Sequence, residues 1–358
     1  MKTIFLDLAT IHAGKSHSSL NADSVLTIGN FDGVHLGHQA MLKQLQQSAS
    51  EQQLQTMVMI FEPQPREYFA QLKSDPSSAP ARLTSQDEKL TLLAKLGIDT
   101  VVVAKFDEAF RSLSASEFAD MLVEHLNVKS LVLGDDFKFG HDRTGDSEFL
   151  RSYGLPVTNL HTITDTYIAE TQDNSTLEDK RISSTRIREL LAEGDLKTAS
   201  RLLNRDYTIT GKVVGGDKIG RTLDFPTANI ELNRVRPALH GVYGVDVVIL
   251  DEAGEVIADG FSDLVKEGKT GIAGLLPHSL FGTANIGIRP SVDKPQEWRL
   301  EVFFPEFSGN LYDKTLQVRF LHHLHDERKY ESLEALKAGI QQDVIDLVEW
   351  RRNQHKAP

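Results

Sequence analysis

The spacing of apolar residues changes character near residue 204 of this 358-residue chain. Before that point, short apolar runs predict β-strands at 25–28, 56–61, 100–104, 130–133 and 157–160. Between the runs, apolar residues recur at three- and four-residue steps, which predicts helices at 36–52, 85–96, 114–126 and 145–153. Strands that alternate with helices in this way predict an α/β domain with a parallel sheet and crossover helices.

After Tyr207 the helical spacing disappears until about Ser332. Apolar or alternating runs, separated by Gly and Pro, predict strands at 207–214, 227–232, 242–250, 284–288, 297–304 and 315–321. These runs predict an antiparallel β-domain closed as a barrel. A closing helix carries one apolar stripe, made by Leu333, Leu336, Ile340, Val344 and Leu347. We therefore predict two domains, at residues 1–204 and 205–358.

The composition narrows the class of protein. A hydrophobic content of 40% and a charged content of 25% are typical of globular proteins. The formal charge of −12 argues against a nucleic-acid partner, which needs a basic surface. The absence of cysteine excludes disulfides and thiolate metal sites. Asp7 interrupts the first apolar run too early for a signal peptide, and no run reaches the roughly 18 apolar residues of a membrane span, so we expect a cytoplasmic protein with no membrane partner.

The stretch T-I-G-N-F-D-G-V-H-L-G-H-Q-A-M, at 27–41, joins the first strand to the first helix. Gly29 and Gly33 let the backbone approach a ligand closely. His35 and His38 are three residues apart at the start of the helix, so they share a face beside a helix end that attracts anions. An ordinary capped turn would explain one histidine but not the whole block. The stretch predicts a nucleotide phosphate site.

Three further blocks lie where ligands of an open α/β sheet bind, after the carboxyl ends of strands. The block F-E-P-Q-P-R, at 61–66, follows the second strand, and its two prolines favour a structural loop with a fixed path. The block R-I-S-S-T-R-I-R, at 181–188, brings hydroxyls and arginines to a helix start, which predicts a second anion site. The Gly-rich block at 131–146 offers carboxylates and basic groups, at Asp136, Lys138, Arg143 and Asp146. For this block the alternative of a charged surface loop stays open.

The second half carries its own phosphate signal at 213–230. Glycines and basic residues there predict a flexible loop that covers phosphates, with Gly216, Lys218, Gly220 and Arg221. The following P-T-A-N supplies the Thr227 hydroxyl and the Asn229 amide oxygen, hard ligands suited to Mg²⁺ on a nucleotide. A hairpin loop followed by a strand would explain the glycines but not the P-T-A-N.

The blocks G-N-F-D-G-V-H-x-G-H, I-S-S-T-x-I-R and P-T-A-N resemble those of the prokaryotic bifunctional riboflavin kinase/FMN adenylyltransferase (FAD synthetase) family, in the same order, over about 24–345. The resemblance implies a Rossmann-like nucleotidyltransferase domain followed by a Greek-key-type riboflavin kinase barrel. The barrel would phosphorylate riboflavin with MgATP to give FMN. The first domain would transfer AMP from ATP to FMN, giving FAD and pyrophosphate.

The resemblance also implies roles for individual residues. In the first domain it makes His35, His38 and Arg188 catalytic, and it assigns ATP phosphates to Gly29, Asn30, Phe31, Asp32, Gly33, Ser184 and Thr185. FMN and nucleotide would lie beside Asp136, Phe137, Arg143 and Asp146. In the barrel, Glu301 matches the general base for the riboflavin 5′-hydroxyl, whereas strand alternation alone would make it a solvated residue.

The chain departs from the family pattern at several positions. Gln64 replaces a histidine between two prolines, Asn204 and Asp206 replace a Gly and a Pro, Asp224 and Asp313 replace glycines, and His325 replaces an arginine. The segment 261–281 is longer than usual and suggests an added flap or loop. The sequence leaves self-association open, and it leaves rival functions: a kinase with an impaired adenylyltransferase site, a non-catalytic flavin-binding regulator, or another nucleotidyltransferase.

Overall fold

The computed structural model describes residues 1–9, 22–161, 164, 180–215, 227–289 and 297–354. The chain forms two compact units, one made of Met1–Pro80 with Gln86–Ser184, the other of Ala81–Ser85 with Thr185–Pro358. The second unit therefore takes a short segment from the first half of the chain, and its main part begins at Thr185. The boundary at residue 204, which we placed where the apolar spacing changes, stays a prediction.

A six-stranded parallel sheet forms the centre of the first unit, as predicted. Its strands are β1 Lys2–Leu6, β2 Ser24–Ile28, β3 Gln55–Glu62, β4 Thr100–Lys105, β5 Val128–Gly134 and β6 Val157–Leu160. They lie in the order β1-β4-β3-β2-β5-β6. β1 was not predicted; it is a five-residue edge strand that buries Ile4 and Leu6 and leaves Phe5 62% exposed.

Helices connect these strands: α1 Leu36–Gln52, α2 Pro65–Leu72, α3 Gln86–Lys95, α4 Glu108–Arg111, α5 Ala115–Asp120 and α6 Ser147–Ser152. A wider helical turn, Met121–His125, continues α5. The predicted helices correspond to α1, α3, α5 with its extension, and α6. α2 and α4 were not predicted, because α2 begins within a pair of prolines and α4 has only four residues.

Successive residues of the central strands pack into different hydrophobic clusters. Val25, Val58 and Val101 belong to one cluster, whereas their neighbours Leu26, Met57 and Val102 belong to another. A parallel sheet covered on both faces needs such continuous apolar strands. Polar and charged groups are therefore left to the strand ends, where ligands bind in this class of fold.

A closed six-stranded antiparallel barrel forms the second unit, also as predicted. Its strands are β7 Thr208–Val214, β8 Thr227–Ile230, β9 Gly241–Leu250, β11 Leu280–Arg289, β12 Glu297–Phe303 and β14 Thr315–His325. The order around the barrel is β11-β12-β8-β7-β14-β9. β9, β11 and β12 form a meander, and β8 pairs with its last strand, β12, in a Greek-key arrangement. A separate two-stranded sheet pairs β10 Val265–Thr270 with β13 Phe307–Gly309.

Three more α-helices lie in the described residues after β6: α7 Ser184–Ala192, α8 Leu196–Leu203 and α9 Leu333–Gln354. α9, the predicted closing helix, packs Leu347 against Gly244, where an added Cβ would lie 2.9 Å from the leucine Cδ2. The His325 Nε2 lies 2.9 Å from the Asp343 Oδ1 of α9. Among the described residues, no helix is long and apolar enough to cross a membrane.

Candidate functional site

The turn between β2 and α1 is held in a restricted backbone conformation. Phe31, Gly33 and Val34 all have positive φ angles, of 46°, 82° and 41°. Positive φ is uncommon for residues other than glycine, and strained turns of this kind occur often at functional sites. Phe31 and Val34 are each only 1% exposed, so hydrophobic burial holds the turn in place. The turn ends at His35, which lies at the start of α1.

His35 and His38 form a stacked pair at this helix start. His35 is the N-cap residue of α1, and the backbone N–H of His38 donates to its Nδ1 at 3.4 Å. The two rings stack with centroids 3.7 Å apart, and Phe31 packs on His38 at 4.8 Å. The structure therefore brings together both predicted histidines on one face of the helix.

The His38 ring is held in its neutral form. Burial lowers its pKa well below the ordinary value of 6.5, and the nearby His35 and Lys89 lower it further. Its Nδ1 is buried and has no hydrogen-bond partner among the described residues. A neutral imidazole at neutral pH can still donate one N–H to a phosphate oxygen as negative charge develops there.

The start of the second predicted anion block lies against the same turn. The Ser184 hydroxyl donates to the carbonyl oxygen of Asp32 at 2.8 Å. A Cβ added at Gly37 would lie 3.6 Å from the carbonyl oxygen of Ile182. Two blocks that are about 150 residues apart therefore meet in the first unit.

The other residues predicted to contact ATP phosphates lie in different environments. Asn30 is exposed, whereas Asp32 is buried to 1% exposure within the turn that Gly29 begins. Thr185 and Arg188 belong to the second unit, where the Arg188 Nε donates to the carbonyl oxygen of Ala81. Their predicted roles stay predictions.

The block at 131–146 is tied together by its own charges. The Asp136 carboxylate accepts from the Arg181 Nη2 at 3.0 Å. Asp146 caps α6 by accepting from the N–H of Glu148 and Phe149, at 3.1 and 2.9 Å, and pairs with Lys138 at 2.8 Å. The Lys138 hydrogen bond, followed by these backbone bonds, lowers the pKa of Asp146. Both carboxylates therefore have structural partners that a nucleotide would share or replace.

The remaining members of this block differ in exposure. Arg143 is exposed on a short helical turn with a positive φ of 58°. Phe137 is partly buried, and its ring stacks on Phe139 with centroids 5.7 Å apart. Arg143 therefore has a side chain open to an anionic ligand, whereas Phe137 belongs to an aromatic cluster.

An aromatic cluster that was not predicted lies at the carboxyl ends of β3 and β4. The Phe61 ring meets Phe106 and Phe110 at 5.7 and 5.5 Å, and Tyr68 meets Phe106 at 5.5 Å. Phe61 and Phe106 are only partly buried. In the sequence, the only indication of this cluster was Phe61 of the block F-E-P-Q-P-R, and the two prolines of that block favoured a purely structural loop.

Gln64, which stands in place of the family histidine, begins α2. Its backbone N–H donates to the Glu67 Oε2 at 3.0 Å, and the residue is only 4% exposed. Its side-chain Nε2 is buried and has no hydrogen-bond partner among the described residues. The glutamine therefore keeps an N–H donor where the family carries an imidazole.

The barrel places three polar side chains in one row across neighbouring strands. Glu301 of β12 lies directly opposite Asn229 of β8 on one side and opposite Asn285 of β11 on the other. Directly opposed residues of antiparallel strands share a face of the sheet. The flanking residues Leu300 and Val302 are fully buried in the barrel core, so the row lies on the outer face.

The predicted magnesium ligands belong to this outer face. Thr227 and Asn229 are two residues apart on β8, so both side chains point outward. The Asn229 Oδ1 is buried without a partner among the described residues, and an amide oxygen is a type of ligand that hard cations bind. The predicted loop residues Gly216, Lys218, Gly220 and Arg221, and the departure at Asp224, lie outside the described residues.

A cavity of about 850 Å³ lies between the end of β12 and α9, and its lining includes Ile272, Phe303, Pro305, Val344, Val348 and Arg351. Phe303 follows Glu301 by two residues on β12 and shares its face. α9 provides another wall, and Ile272 comes from the segment 261–281. Mostly apolar walls and this volume are typical of small-molecule sites.

The segment 261–281 is anchored to the barrel by a buried carboxylate. The Asp246 Oδ2 accepts from the N–H of Leu275 and Leu276, at 2.8 and 3.2 Å, and from the Arg319 Nη2 at 2.8 Å. Asp246 is 1% exposed. The segment contains β10 and the start of β11, so the predicted flap or loop is partly a strand.

Comparisons with known proteins match both halves of the chain. The FAD synthetase family profile matches residues 17–186, and the riboflavin kinase profile matches residues 203–350. The bifunctional riboflavin kinase/FMN adenylyltransferase of Pseudomonas fluorescens is 42% identical over 321 residues, which are 89% of this chain and 90% of that protein. The chain belongs to this bifunctional family.

Two further relatives extend the comparison. The bifunctional riboflavin kinase/FMN adenylyltransferase of Escherichia coli K12 is 40% identical over 326 residues, 90% of each chain. A crystal structure described as a macrolide-efflux protein from Streptococcus pneumoniae superposes with a TM-score of 0.70 at 27% identity, covering 98% of this chain and all of that one. From that structure we take the fold.

Departures from the family pattern have local explanations. Asn204 and Asp313 have φ angles of 58° and 65°, a conformation that glycine adopts freely and that Asn and Asp tolerate. Asn204 ends α8 in this conformation. Asp206 pairs with Arg319 at 2.7 Å, and His325 pairs with Asp343. Each of these four residues therefore has a suitable backbone conformation or an ion-pair partner.

Proposed function

We propose that this member of the bifunctional family makes FAD in two ATP-dependent steps, one in each unit. The barrel phosphorylates riboflavin to FMN, and the first unit adenylylates FMN to FAD with release of pyrophosphate. The observation that carries the proposal is that both sets of polar groups are present in one chain: the stacked histidines at the α1 start and the Asn229–Glu301–Asn285 row.

In the kinase step, Glu301 accepts the proton of the riboflavin 5′-hydroxyl as that oxygen attacks the γ-phosphorus of ATP. The new bond joins the 5′-oxygen to the phosphorus, and the bond to the β-phosphate oxygen breaks, leaving ADP. The cavity between Phe303 and α9 is the proposed place for the flavin ring, because its lining residue Phe303 shares a strand face with Glu301.

Mg²⁺ bound with ATP would neutralise phosphate charge and hold the phosphates in line for transfer. The Thr227 hydroxyl and the Asn229 amide oxygen are the groups that would hold it. The unpartnered, buried Asn229 Oδ1 supports this assignment. The hydroxyl and the amide stand two residues apart, on the strand next to the base.

In the adenylyltransferase step, an oxygen of the FMN phosphate attacks the α-phosphorus of ATP, and pyrophosphate leaves. His35 and His38 donate N–H groups to the phosphate oxygens as charge builds up, and the α1 start adds its dipole. His38 acts as a neutral donor in this step, because burial lowers its pKa. The aromatic cluster of Phe61, Phe106 and Tyr68 offers faces for stacking the flavin ring.

A time course tests the proposal. Purified full-length protein is incubated with riboflavin, ATP and Mg²⁺, and the flavins are separated by chromatography. We expect FMN to rise first and then give way to FAD. A second reaction begins from FMN and should yield FAD without riboflavin. FMN that accumulates without FAD would contradict the second step, and no FMN from riboflavin would contradict the first.

The assay also separates the rival functions. The kinase-only alternative rested on Gln64, whose Nε2 still provides a buried donor at that position. A non-catalytic flavin-binding regulator would bind flavin and form no product. A cytoplasmic location and the choice of ATP as donor are part of the proposal, and self-association is left to solution measurements.

A further inference from the structure

Asn285 is the member of the outer-face row to which no role was predicted. It lies on β11, directly opposite Glu301 and on the side away from Asn229. On its other side β11 pairs with β9, where Asn285 lies opposite Val242. Asn285 is therefore the last polar residue in this row before an apolar one.

The amide of Asn285 has the same unusual state as that of Asn229. Its Oδ1 is buried and has no hydrogen-bond partner among the described residues. Buried polar atoms in native proteins are almost always paired, so an exception calls for an explanation. By contrast, the Gln317 amide on β14 donates to the Thr210 hydroxyl at 3.4 Å. The Oδ1 atoms of the two asparagines beside Glu301 have no such partner in the part of the chain that the structure describes.

The order of the row assigns the two asparagines to different reactants. If Thr227 and Asn229 hold the phosphoryl donor, the acceptor alcohol must reach the base from another direction, because attack is in line with the leaving oxygen. Asn285 lies one strand away from the base, about 5 Å across the sheet. A hydroxyl one or two carbons from the attacking 5′-oxygen can span that distance. An amide both donates and accepts hydrogen bonds, as a polyol requires.

We propose that Asn285 binds a hydroxyl of the riboflavin ribityl chain and so holds the 5′-hydroxyl against Glu301. This inference rests on the proposed kinase function of the barrel. The Asn285 amide would make the barrel selective for flavins that carry a polyol chain, whereas the cavity lined by Phe303 would bind the ring alone.

The test compares two flavins that differ in the chain. Riboflavin and lumiflavin, which has a methyl group in place of the ribityl chain, are titrated by fluorescence into the full-length protein without ATP. Asn285→Ala should weaken riboflavin binding roughly 5- to 10-fold, the effect of one lost neutral hydrogen bond, and leave lumiflavin binding unchanged. Gln317→Ala, which removes an amide elsewhere on the barrel surface, should change neither. Flavin bound in the first unit contributes equally to all variants.

Steady-state kinetics give a second measurement. Asn285→Ala should raise the KM for riboflavin and leave the KM for ATP unchanged. Asn285→Leu, of similar shape, should behave in the same way if the alanine variant folds poorly. FAD formation from FMN, in the other unit, serves as the check of integrity.

Several outcomes would overturn the inference. Equal weakening of riboflavin and lumiflavin would place Asn285 at the ring or in the general fold. A raised KM for ATP alone would assign it to the phosphate donor. Unchanged riboflavin binding in both variants would remove it from the site. A wild-type protein that forms no FMN would instead contradict the proposed kinase function, which is a separate result.

Discussion

The two sites of this chain are built from residues at very different distances along the sequence. At the α1 start, the strained turn and both histidines lie within ten residues, from Gly29 to His38. In the barrel, the row takes Asn229, Asn285 and Glu301 from three separate strands. The first site is therefore set by local backbone geometry, whereas the second exists only when the strands pair correctly. Each site can be disrupted without the other, as the following predictions state.

Glu301→Ala has the largest expected effect. Loss of the proposed base should lower FMN formation from riboflavin by about 10²- to 10⁴-fold, the usual contribution of general base catalysis. FAD formation from added FMN should stay near the wild-type rate, and this reaction is the internal control. Both rates can be measured by flavin chromatography. A kinase rate that is unaffected would remove Glu301 from the role of base.

His38→Ala is the reciprocal experiment. Removal of an N–H donor to the transferring phosphate should lower FAD formation about 10²- to 10³-fold. Riboflavin phosphorylation should be nearly unchanged. The same chromatographic assay, begun from FMN and from riboflavin, measures both activities. Equal loss of the two would refute the division of labour between the units.

Arg319→Ala tests how much a buried ion pair contributes to the stability of the barrel. The change leaves the buried Asp246 carboxylate without its charged partner, which should cost about 3 kcal/mol of unfolding free energy. Both tryptophans of the chain, Trp298 and Trp350, lie in the second unit, so urea unfolding followed by tryptophan fluorescence reports on the barrel.

The control for Arg319→Ala is Lys212→Ala. Lys212 pairs with Asp313 at 3.0 Å on the exposed surface, and such pairs contribute about 0–1 kcal/mol. A similar loss of stability in both variants would mean that the buried position of Asp246 has no special importance.

The smallest expected effect is that of mild acid on the barrel. Burial and the neighbouring His323 lower the pKa of His322, whose ring stacks on Trp350 at 4.9 Å. The folded state therefore favours the neutral ring, and below the unfolded pKa of about 6.5 the unfolded chain binds more protons. Stability is full above that pH and falls as the pH is lowered towards the folded pKa.

His322→Phe isolates this contribution, because it keeps an aromatic ring beside Trp350. The variant should show a smaller loss of tryptophan-detected stability between pH 7 and pH 5 than the wild type. The difference in unfolding free energy between the variant and the wild type should stay below the limit of about 1.4 kcal/mol per pH unit that one proton sets, because the ring is partly exposed. An unchanged pH profile would assign the acid sensitivity to other groups.

Much of the fold follows from apolar spacing alone. Long, continuous runs such as Val101–Val103 could be predicted because both faces of the sheet are covered. The strands that were missed are short or peripheral: β1 lies at the edge of the sheet, β13 has three residues, all only partly buried, and β10 lies in the segment interpreted as a flap or loop. Their pairing depends on tertiary contacts that no local pattern records.

The same distinction holds for the sites. Gly29–His38 could be recognised because its chemistry is contiguous. Asn285 could not, because its significance comes from lying opposite Glu301 in the barrel. The aromatic cluster around Phe61 has the same origin, since its members come from different segments. By the family pattern, Gln64 weakened the prediction of adenylyltransferase activity. Only the structure shows that its side chain is buried and keeps an N–H donor at that position.

The outer-face row of Asn229, Glu301 and Asn285 also depends on the correct register of the barrel strands. Side chains alternate between the two faces of a strand, so a slip of one residue in β12 would turn Glu301 into the barrel interior and Leu300 and Val302 to the outside. A carboxylate in that apolar interior would be strongly unfavourable. Misassembled copies would therefore be unstable as well as inactive, and natural selection for a stable barrel also preserves the geometry of the row.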